Sequence, residues 1–212
     1  MENVNIEKKT FTTIPVQLPM KRIYMRLGYN FHKTEVADEQ RKKIEDSINE
    51  GFILCEPKGM YARLDISKKE NDKTVLSNGS ILTSASLAKL LSHSHAVLIM
   101  GATVGKTIVE IIDQKVTTKE TSTAVVYDAV GSESADAAVG WINEYVRQQL
   151  PRKCEMLTKF RFSPGYGDLD LSNQKIMFQI LGLDSIGLEL TDKYMLRPEK
   201  SVIAIAGIEQ TC

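Results

Sequence analysis

The sequence predicts one α+β domain. Segments with the helical spacing of apolar residues are interspersed along the chain with short apolar segments of strand type. No internal repeat, low-complexity tract or linker-like stretch divides the 212 residues. A chain of this length can bury roughly 70% of the surface that its unfolded form exposes, so we expect a substantial core.

Charge and cysteine content argue against several functional classes. Lys plus Arg and Asp plus Glu number 27 each, so the basic excess typical of nucleic-acid binding is missing. The three cysteines, Cys55, Cys154 and Cys212, are odd in number and form no C-x-x-C pair, which favours a reducing compartment over a disulfide framework. The polar N-terminus and the short apolar run at 96–100 are unlike a signal peptide or a membrane span. We therefore expect a cytoplasmic protein that binds neither nucleic acid nor membrane.

The first half of the chain predicts an arm followed by helices and a strand. Residues 1–20 form a strand-like arm, and Pro15 and Pro19 favour an edge position for it. Asp38 is a candidate helix cap, and Gly28 and Gly51 are candidate helix ends. The predicted elements are a helix closed by Gly28, a helix over 36–54, a strand around 61–66, a charged loop at 68–74 and a helix within 77–94.

The second half predicts three further helices and several strands. Pro151 should follow the end of the longest helix, and Gly182 should close the last one. The predicted elements are a buried strand at 95–100, a helix at 107–116, a strand at 122–130, a helix at 132–150, a helix at 171–182 and a terminal strand pair at 185–196 and 200–209.

The segment 101–107, Gly-Ala-Thr-Val-Gly-Lys-Thr, is one residue short of a phosphate-binding loop. That loop needs four residues between its glycines, whereas Gly101 and Gly105 are separated by three. Removing one residue rotates every later backbone donor away from the phosphate. A tight strand-to-helix connection is the better interpretation. Nucleotide hydrolysis with Lys106 is the less favoured alternative, in which Asp128 would end a magnesium-binding strand.

Histidine provides no clear metal site. His93 and His95 form an H-x-H pair at a predicted helix end, where this spacing separates the two rings, and no third ligand lies nearby in sequence. Favourable interaction with the helix dipole is the simpler interpretation. His32 stands alone in a polar loop. We predict no metal ligand and no catalytic acid or base.

The segment 161–168, Arg-Phe-Ser-Pro-Gly-Tyr-Gly-Asp, is the best candidate for a ligand site. Pro164 fixes φ, Gly165 permits a positive φ, and Tyr166 offers an aromatic face with a polar tip. The guanidinium of Arg161 can hold a carboxylate in a bidentate pair, and the ring can face a cation such as a sulfonium. A Pro-Gly turn beside a surface salt bridge explains the same residues equally well. Asp170 or Ser172 can cap the helix that follows.

The pattern Arg-x-x-Pro-Gly-Tyr before a helix resembles the S-adenosylmethionine site of the activation domain of cobalamin-dependent methionine synthase. The continuation at 167–174 is similar to stand-alone members of that family. Weaker resemblances occur in the same order along this chain as in the family, at 25–29, 86–91, 102–105, 128–132, 194–198 and 201–202. Together they cover roughly residues 20–205 and imply an N-terminal arm at 1–20 and an activation-type domain at 21–212.

The resemblance implies a bent, mainly antiparallel sheet flanked by helices. It also implies an accessory subunit without independent activity, which binds S-adenosylmethionine and serves the reductive methylation of cob(II)alamin. The cobalamin would be carried by a partner, a cobalamin-binding methionine synthase lacking its own activation domain, and a flavodoxin-like protein would donate the electron. Arg161 would contact the methionine end of the ligand. The other implied ligand-binding residues are Ser163, Pro164, Gly165, Tyr166 and, by its position six residues before the arginine, Glu155.

The last predicted strand departs from the family pattern. The fused enzyme carries a tyrosine and a Ser-His-Pro stretch there, whereas this chain has Ile-Ala-Ile-Ala-Gly at 203–207. This difference motivates an alternative function, a module that docks on a corrinoid protein without binding S-adenosylmethionine.

Overall fold

The computed structural model describes residues 6–29 and 37–211, and it confirms the α+β class. His32, the first residue of the helix predicted over 36–54, the first five residues of the predicted arm and Cys212 lie outside the described residues. The strands are β1 (Glu7–Phe11), β2 (Lys58–Lys69), β3 (Lys73–Leu76), β4 (Ile81–Thr83), β5 (Ser94–Thr103), β6 (Glu155–Leu157), β7 (Glu189–Leu190), β8 (Leu196–Arg197) and β9 (Ser201–Gln210). The helices are α1 (Met20–Arg26), α2 (Asp38–Ile53), α3 (Ala85–Leu90), α4 (Thr107–Thr117), α5 (Thr121–Arg147) and α6 (Asn173–Leu181), with short 3₁₀ turns at Leu150–Lys153 and Leu183–Ile186.

Seven strands form one antiparallel sheet in the order β4-β3-β2-β5-β9-β6, and β1 also pairs with β2. β1 lies beside the first half of β2 and β3 beside its second half, so the predicted edge position of the arm is confirmed. β5 is the central strand and is buried along nearly all of its length, because helices cover both faces of the sheet.

Alternate residues of the central strands face two separate apolar layers. Val97 and Ile99 of β5 belong to a cluster with α6 and the 183–186 turn, whereas Leu98 and Met100 pack with the second half of α5. A third cluster joins the first half of α5 to α1, α2 and α4. The long helix α5 therefore links the sheet to the helical end of the molecule.

The predicted strand at 122–130 is wrong, because these residues form the first half of α5. The apolar run suggested a strand, but Tyr127 and Val130 are three residues apart and face the same cluster as Ala135. Packing against α2 and α4 therefore overrides the weak helix propensity of the β-branched residues. Gly131, the residue between the strand and the helix predicted here, lies inside α5.

Other predictions were wrong about which strands pair or about where an element begins and ends. The terminal segments do not pair with each other, since β9 lies between β5 and β6 while β7 pairs with β8. The loop predicted at 68–74 is too long, because β2 extends to Lys69, β3 begins at Lys73 and only residues 70–72 connect them. Asp38 lies in the first turn of α2 after Ala37, and Gly51 lies inside that helix, facing the ring of Tyr127.

Several helix boundaries were predicted correctly. Gly28 follows α1 with a φ of +84° and donates its N–H to Met25, and Gly182 ends α6 with a φ of +76°. α5 ends before Pro151. None of the helices in the described ranges has the length and apolar composition needed to cross a bilayer.

Candidate functional site

An open cleft of about 700 Å³ lies where α1, α5, α6 and the start of β9 meet. This volume is in the range of small-molecule sites. Its walls combine charged side chains with apolar ones. The lining residues are Arg26 from α1, Ser132, Glu133, Ala135 and Asp136 from α5, Arg161, Phe162, Ser163, Pro164, Tyr166 and Leu171 from the segment before α6, Gln174 from α6, and Met195, Leu196, Glu199, Lys200, Ser201, Val202 and Ile203.

The Pro-Gly segment forms one wall of this cleft as a tight turn. The N–H of Tyr166 donates to the carbonyl of Ser163 at 3.2 Å, and Gly165 has a φ of +89°. Proline at the second position and a positive φ at the third are the pattern of a type II turn. Pro164 is buried, whereas Tyr166 is 71% exposed at the rim. The turn thus presents an aromatic side chain at the mouth of the cleft.

Two anchors hold this turn in place. Phe162 exchanges two backbone hydrogen bonds of 2.8 Å with Ile205 on β9, and Leu169, which is buried, accepts the N–H of Gly165. Asp168 accepts hydrogen bonds from the Ser84 hydroxyl at 2.7 Å and from the first backbone N–H groups of α3. These bonds, that from Ser84 foremost, lower the pKa of Asp168 to about 2. The Gly-Asp-Leu stretch after the tyrosine is therefore a structural anchor.

Arg161 lies across α5 and is paired with an acid that the sequence analysis did not identify. Its guanidinium donates to Asp136 Oδ1, and the other oxygen of that carboxylate lies 2.6 Å from Arg22 Nη1 of α1. A side chain at Gly140, one helical turn after Asp136, would place its Cβ 3.5 Å from Arg161 Nη1. The arginine thus packs on a helix face bounded by an acid and a glycine.

A second ion pair joins α1 to the cleft. Arg26 Nη1 lies 3.1 Å from Glu133 Oε1, so two arginines one turn apart on α1 meet two acids one turn apart on α5. Arg26 belongs to the 25–29 segment, one of the segments that carry the resemblance. The first turns of the chain after the arm therefore contribute to the wall of the cleft.

Lys200 also lines the cleft and is bonded to side chains of α5. Its ammonium bonds to Asp128 and lies 3.0 Å from the Ser132 hydroxyl. Gly131 between them allows this approach, because a Cβ there would lie 3.0 Å from Lys200 Cγ. The 128–132 segment thus secures the lysine that precedes β9.

Glu155 does not line the cleft. It pairs with Gln210 at the far end of β9, and seven residues separate Gln210 from Ile203, which corresponds to roughly 23 Å along a strand. Its carboxylate receives Arg63 Nη1 at 2.7 Å and Nη2 at 2.6 Å, and His95 Nε2 lies 3.0 Å away. The hydrogen bonds from Arg63 lower the pKa of Glu155. His95 lies on β5, so its predicted place at a helix end is wrong.

The glycine-containing segment shows packing rather than a phosphate site. A Cβ at Gly101 would lie 2.7 Å from Leu183, and Gly105 turns with a φ of +83° into α4. Lys106 points along that helix to Glu110 at 3.3 Å. Asp128 lies within a helix instead of at a strand end, so the arrangement assumed for nucleotide hydrolysis is wrong. Within the described ranges, no group of three or more His, Cys, Asp or Glu side chains is placed to hold a metal ion.

The structure thus brings together Arg161, Ser163, Pro164 and Tyr166 on one cleft, with Gly165 in the supporting turn. It separates Glu155 from them. Sequence reasoning missed the acids on α5, because Asp136 lies 25 residues before Arg161 and no local pattern connects them. The only available signal was the i, i+4 spacing of Asp136 and Gly140 on a predicted helix.

Comparison with known proteins supports the fold. No family model matches the chain, and no curated protein has a significant sequence match to it. Solved structures do match. A crystal structure of the MetH reactivation domain bound to AdoHcy aligns with a TM-score of 0.68 at 12% identity, covering 97% of this chain and 79% of that one. At this identity the likeness establishes a shared fold, while bound AdoHcy is a property of that protein.

Proposed function

We propose that the cleft binds S-adenosylmethionine and that the chain presents its methyl group to a corrinoid carried by a partner protein. The observation that supports this most is the position of Arg161 and the Ser163–Tyr166 turn on one wall of a ligand-sized cleft. The fold shared with a reactivation domain bound to AdoHcy is the second support. A cytoplasmic location belongs to this proposal.

The residues of the cleft fit the chemistry of such a ligand. Arg161 supplies guanidinium donors for the α-carboxylate, and the apolar walls around Leu196 and Ile203 supply a surface for a nucleoside. The exposed ring of Tyr166 stands at the mouth, where a sulfonium facing a partner would lie within reach of an aromatic face. Glu155 has no part in this site.

The chain contributes binding and orientation to the proposed reaction. In that reaction the corrinoid cobalt of the partner gains one electron and a methyl group, while the sulfonium loses its methyl and becomes a thioether. The electron comes from a flavodoxin-like donor. The residues described here hold the amino-acid end of the ligand and keep the turn rigid, so that the methyl group faces outward.

Calorimetry with S-adenosylmethionine tests the ligand claim. We expect wild type to bind and Arg161→Ala to lose about 1.5–3 kcal/mol, the usual worth of a hydrogen bond to a charged group. Arg147→Ala is the matched control, because Arg147 is an exposed arginine on α5 away from the cleft. Absence of binding in wild type would contradict the proposal.

A spectroscopic assay tests the role in methylation. The chain is mixed with a cobalamin-binding methionine synthase that lacks its activation domain, with reduced flavodoxin and S-adenosylmethionine. We expect the cob(II)alamin absorbance to convert to that of methylcobalamin only when this chain is present, and more slowly with Arg161→Ala.

A docking module without a ligand is the second candidate. It is favoured by the pairing of Arg161 with Asp136 and by the exposed apolar residues at the rim, Tyr166 and Met195. Capture of the corrinoid protein by a chain that gives no calorimetric signal with S-adenosylmethionine would select this alternative.

A further inference from the structure

Ion pairs within the fold account for all but one of the charged side chains that line the cleft. The paired groups are Arg26 with Glu133, Arg161 with Asp136, and Lys200 with Asp128. The exception is Glu199, in the connection between β8 and β9. Its carboxylate takes part in no ion pair with any residue of 6–29 or 37–211, so its negative charge is not compensated by a neighbouring side chain.

Glu199 lies at the solvent side of the cleft. It is exposed, as is Tyr166 at the rim, whereas Pro164 and Leu196 form buried parts of the walls. In the proposed function the methyl group of the ligand faces outward. The uncompensated carboxylate is therefore on the same side of the cleft as the part of the ligand that carries this methyl group.

The backbone on both sides of Glu199 is held in place. The Ser201 hydroxyl donates to the carbonyl of Pro198 at 2.6 Å, and the carbonyl of Lys200 accepts the N–H of Val104 at 3.1 Å. The ammonium of Lys200 is directed to α5 and is only 13% exposed, so it does not neutralise the carboxylate next to it in sequence. The position of this charge is thus fixed by the fold.

The uncompensated charges of the cleft match those of a sulfonium ligand. Asp136 is shared by Arg161 and Arg22, which leaves one positive charge on that group, and Glu199 supplies one negative charge elsewhere on the wall. S-adenosylmethionine carries a carboxylate at one end and a sulfonium further along the molecule. Loss of its methyl group leaves a neutral thioether, S-adenosylhomocysteine, which has no charge at that position.

We propose that Glu199 determines specificity for the charged methyl donor, because its carboxylate attracts the sulfonium and has no such attraction for the thioether product. This inference rests on the proposed function and deepens it. Direct contact is not required, since charges attract over a screening length of about 8 Å at physiological salt. The carboxylate is accessible to water, so the preference it creates is modest.

Calorimetry with S-adenosylmethionine and S-adenosylhomocysteine tests this role through the ratio of their two affinities. We expect Glu199→Gln to lower the ratio, in favour of the product, by about threefold to fivefold, as for an accessible ion pair. Glu199→Lys reverses the charge and should lower the ratio by about tenfold or more. Comparing ratios between variants cancels any contribution of the methyl group itself.

Glu189→Gln is the matched control. Glu199 also borders a neighbouring cleft of about 600 Å³, and Glu189 lines only that second cleft. Both glutamates are exposed, so the control removes the same charge from the same side of the chain without changing the first cleft. It should leave the affinity ratio at the wild-type value.

An unchanged ratio in Glu199→Gln, or equal weakening of both ligands, would overturn the inference, because either result removes the link to the sulfonium charge. An equal change in Glu189→Gln would overturn it too, by showing a general surface effect. Wild type gives an independent measurement should the variants not fold. Its ratio should fall as salt rises from about 0.1 M to 1 M, where the screening length drops from about 10 Å to 3 Å, and a ratio insensitive to salt contradicts the proposal. Failure of wild type to bind either ligand would instead refute the proposed function.

Discussion

Two arginine–carboxylate pairs include a residue from a segment that pairs with β9, and they differ in their access to solvent. Arg63 and Glu155 form a two-fold hydrogen-bonded pair in which the side chains are 19% and 5% exposed. Arg161 and Asp136 are 27% and 37% exposed and line the cleft. The same chemical pair thus serves as a structural element where it is enclosed and as a candidate binding element where it is open.

The comparison also explains why residue type alone did not identify the site. Glu155 and Asp136 are both acids next to an arginine, but the second pair lines the cleft of about 700 Å³, whereas Arg63 of the first pair faces a pocket of only about 30 Å³. A buried carboxylate whose oxygens already receive a guanidinium and an imidazole has little capacity for a ligand. Its contribution is to stability.

The largest expected effect is on stability at the enclosed pair. Glu155→Gln leaves the partly buried guanidinium of Arg63 without its counter-ion, so we expect a loss of about 2–4 kcal/mol in the free energy of unfolding. Urea denaturation followed by circular dichroism measures this loss. The double variant Arg63→Gln and Glu155→Gln should recover part of it, since no unpaired charge remains.

Glu144→Gln, an exposed substitution on α5, is the control. If Glu155→Gln unfolds at the same urea concentration as this control, the enclosed pair contributes no more to stability than an exposed side chain does. The distinction between the two regions would then fail. S-adenosylmethionine affinity of Glu155→Gln at a temperature where it remains folded should equal that of wild type, because Glu155 lies outside the cleft.

A second, smaller effect is expected at the anchor of the cleft turn. The pKa of Asp168 is held at about 2 by its bonds to Ser84 and to the start of α3. A lowered pKa in the folded state means that the carboxylate stabilises the fold above its ordinary pKa of about 3.9, and that this contribution is lost as the pH falls towards 2. Asp168→Asn should therefore lower the melting temperature at pH 7 and make the melting temperature less sensitive to pH between about 4 and 2.

The control for this anchor is Asp170→Asn. Asp170 accepts the N–H of Ser172 at 2.8 Å and its pKa is lowered too, but it makes no described bond to α3. Asp168→Asn should weaken S-adenosylmethionine binding more than Asp170→Asn does, because only Asp168 connects the turn to another helix. Equal affinities in the two variants would contradict the anchoring role.

The sequence predicted the parts of the fold and site that depend on local chemistry. Pro164 and Gly165 determine the turn by their allowed φ values, and Gly182 ends its helix for the same reason. The strand predicted at 122–130 failed because packing against distant helices decided the conformation of that run. Asp136 was missed because its relation to Arg161 exists only after α5 has crossed the sheet. Contacts between distant segments carry the information that local patterns lack.

The smallest expected effect concerns the open pair itself. Arg22→Gln removes one of the two arginines from Asp136, and both side chains are accessible to water, with exposures of 58% and 37%. Exposed ion pairs contribute at most about 1 kcal/mol, so we expect a change of about 0.5 kcal/mol in unfolding free energy, against the larger loss for Glu155→Gln.

The same variant should have little effect on the affinity for the ligand. With Arg22 absent, Asp136 interacts with Arg161 alone, and the affinity for S-adenosylhomocysteine should change by no more than about twofold to threefold. Urea denaturation and calorimetry on the same preparation measure both quantities. A stability loss comparable to that of Glu155→Gln would show that the open pair is structural after all, and that accessibility does not distinguish the roles of the two pairs.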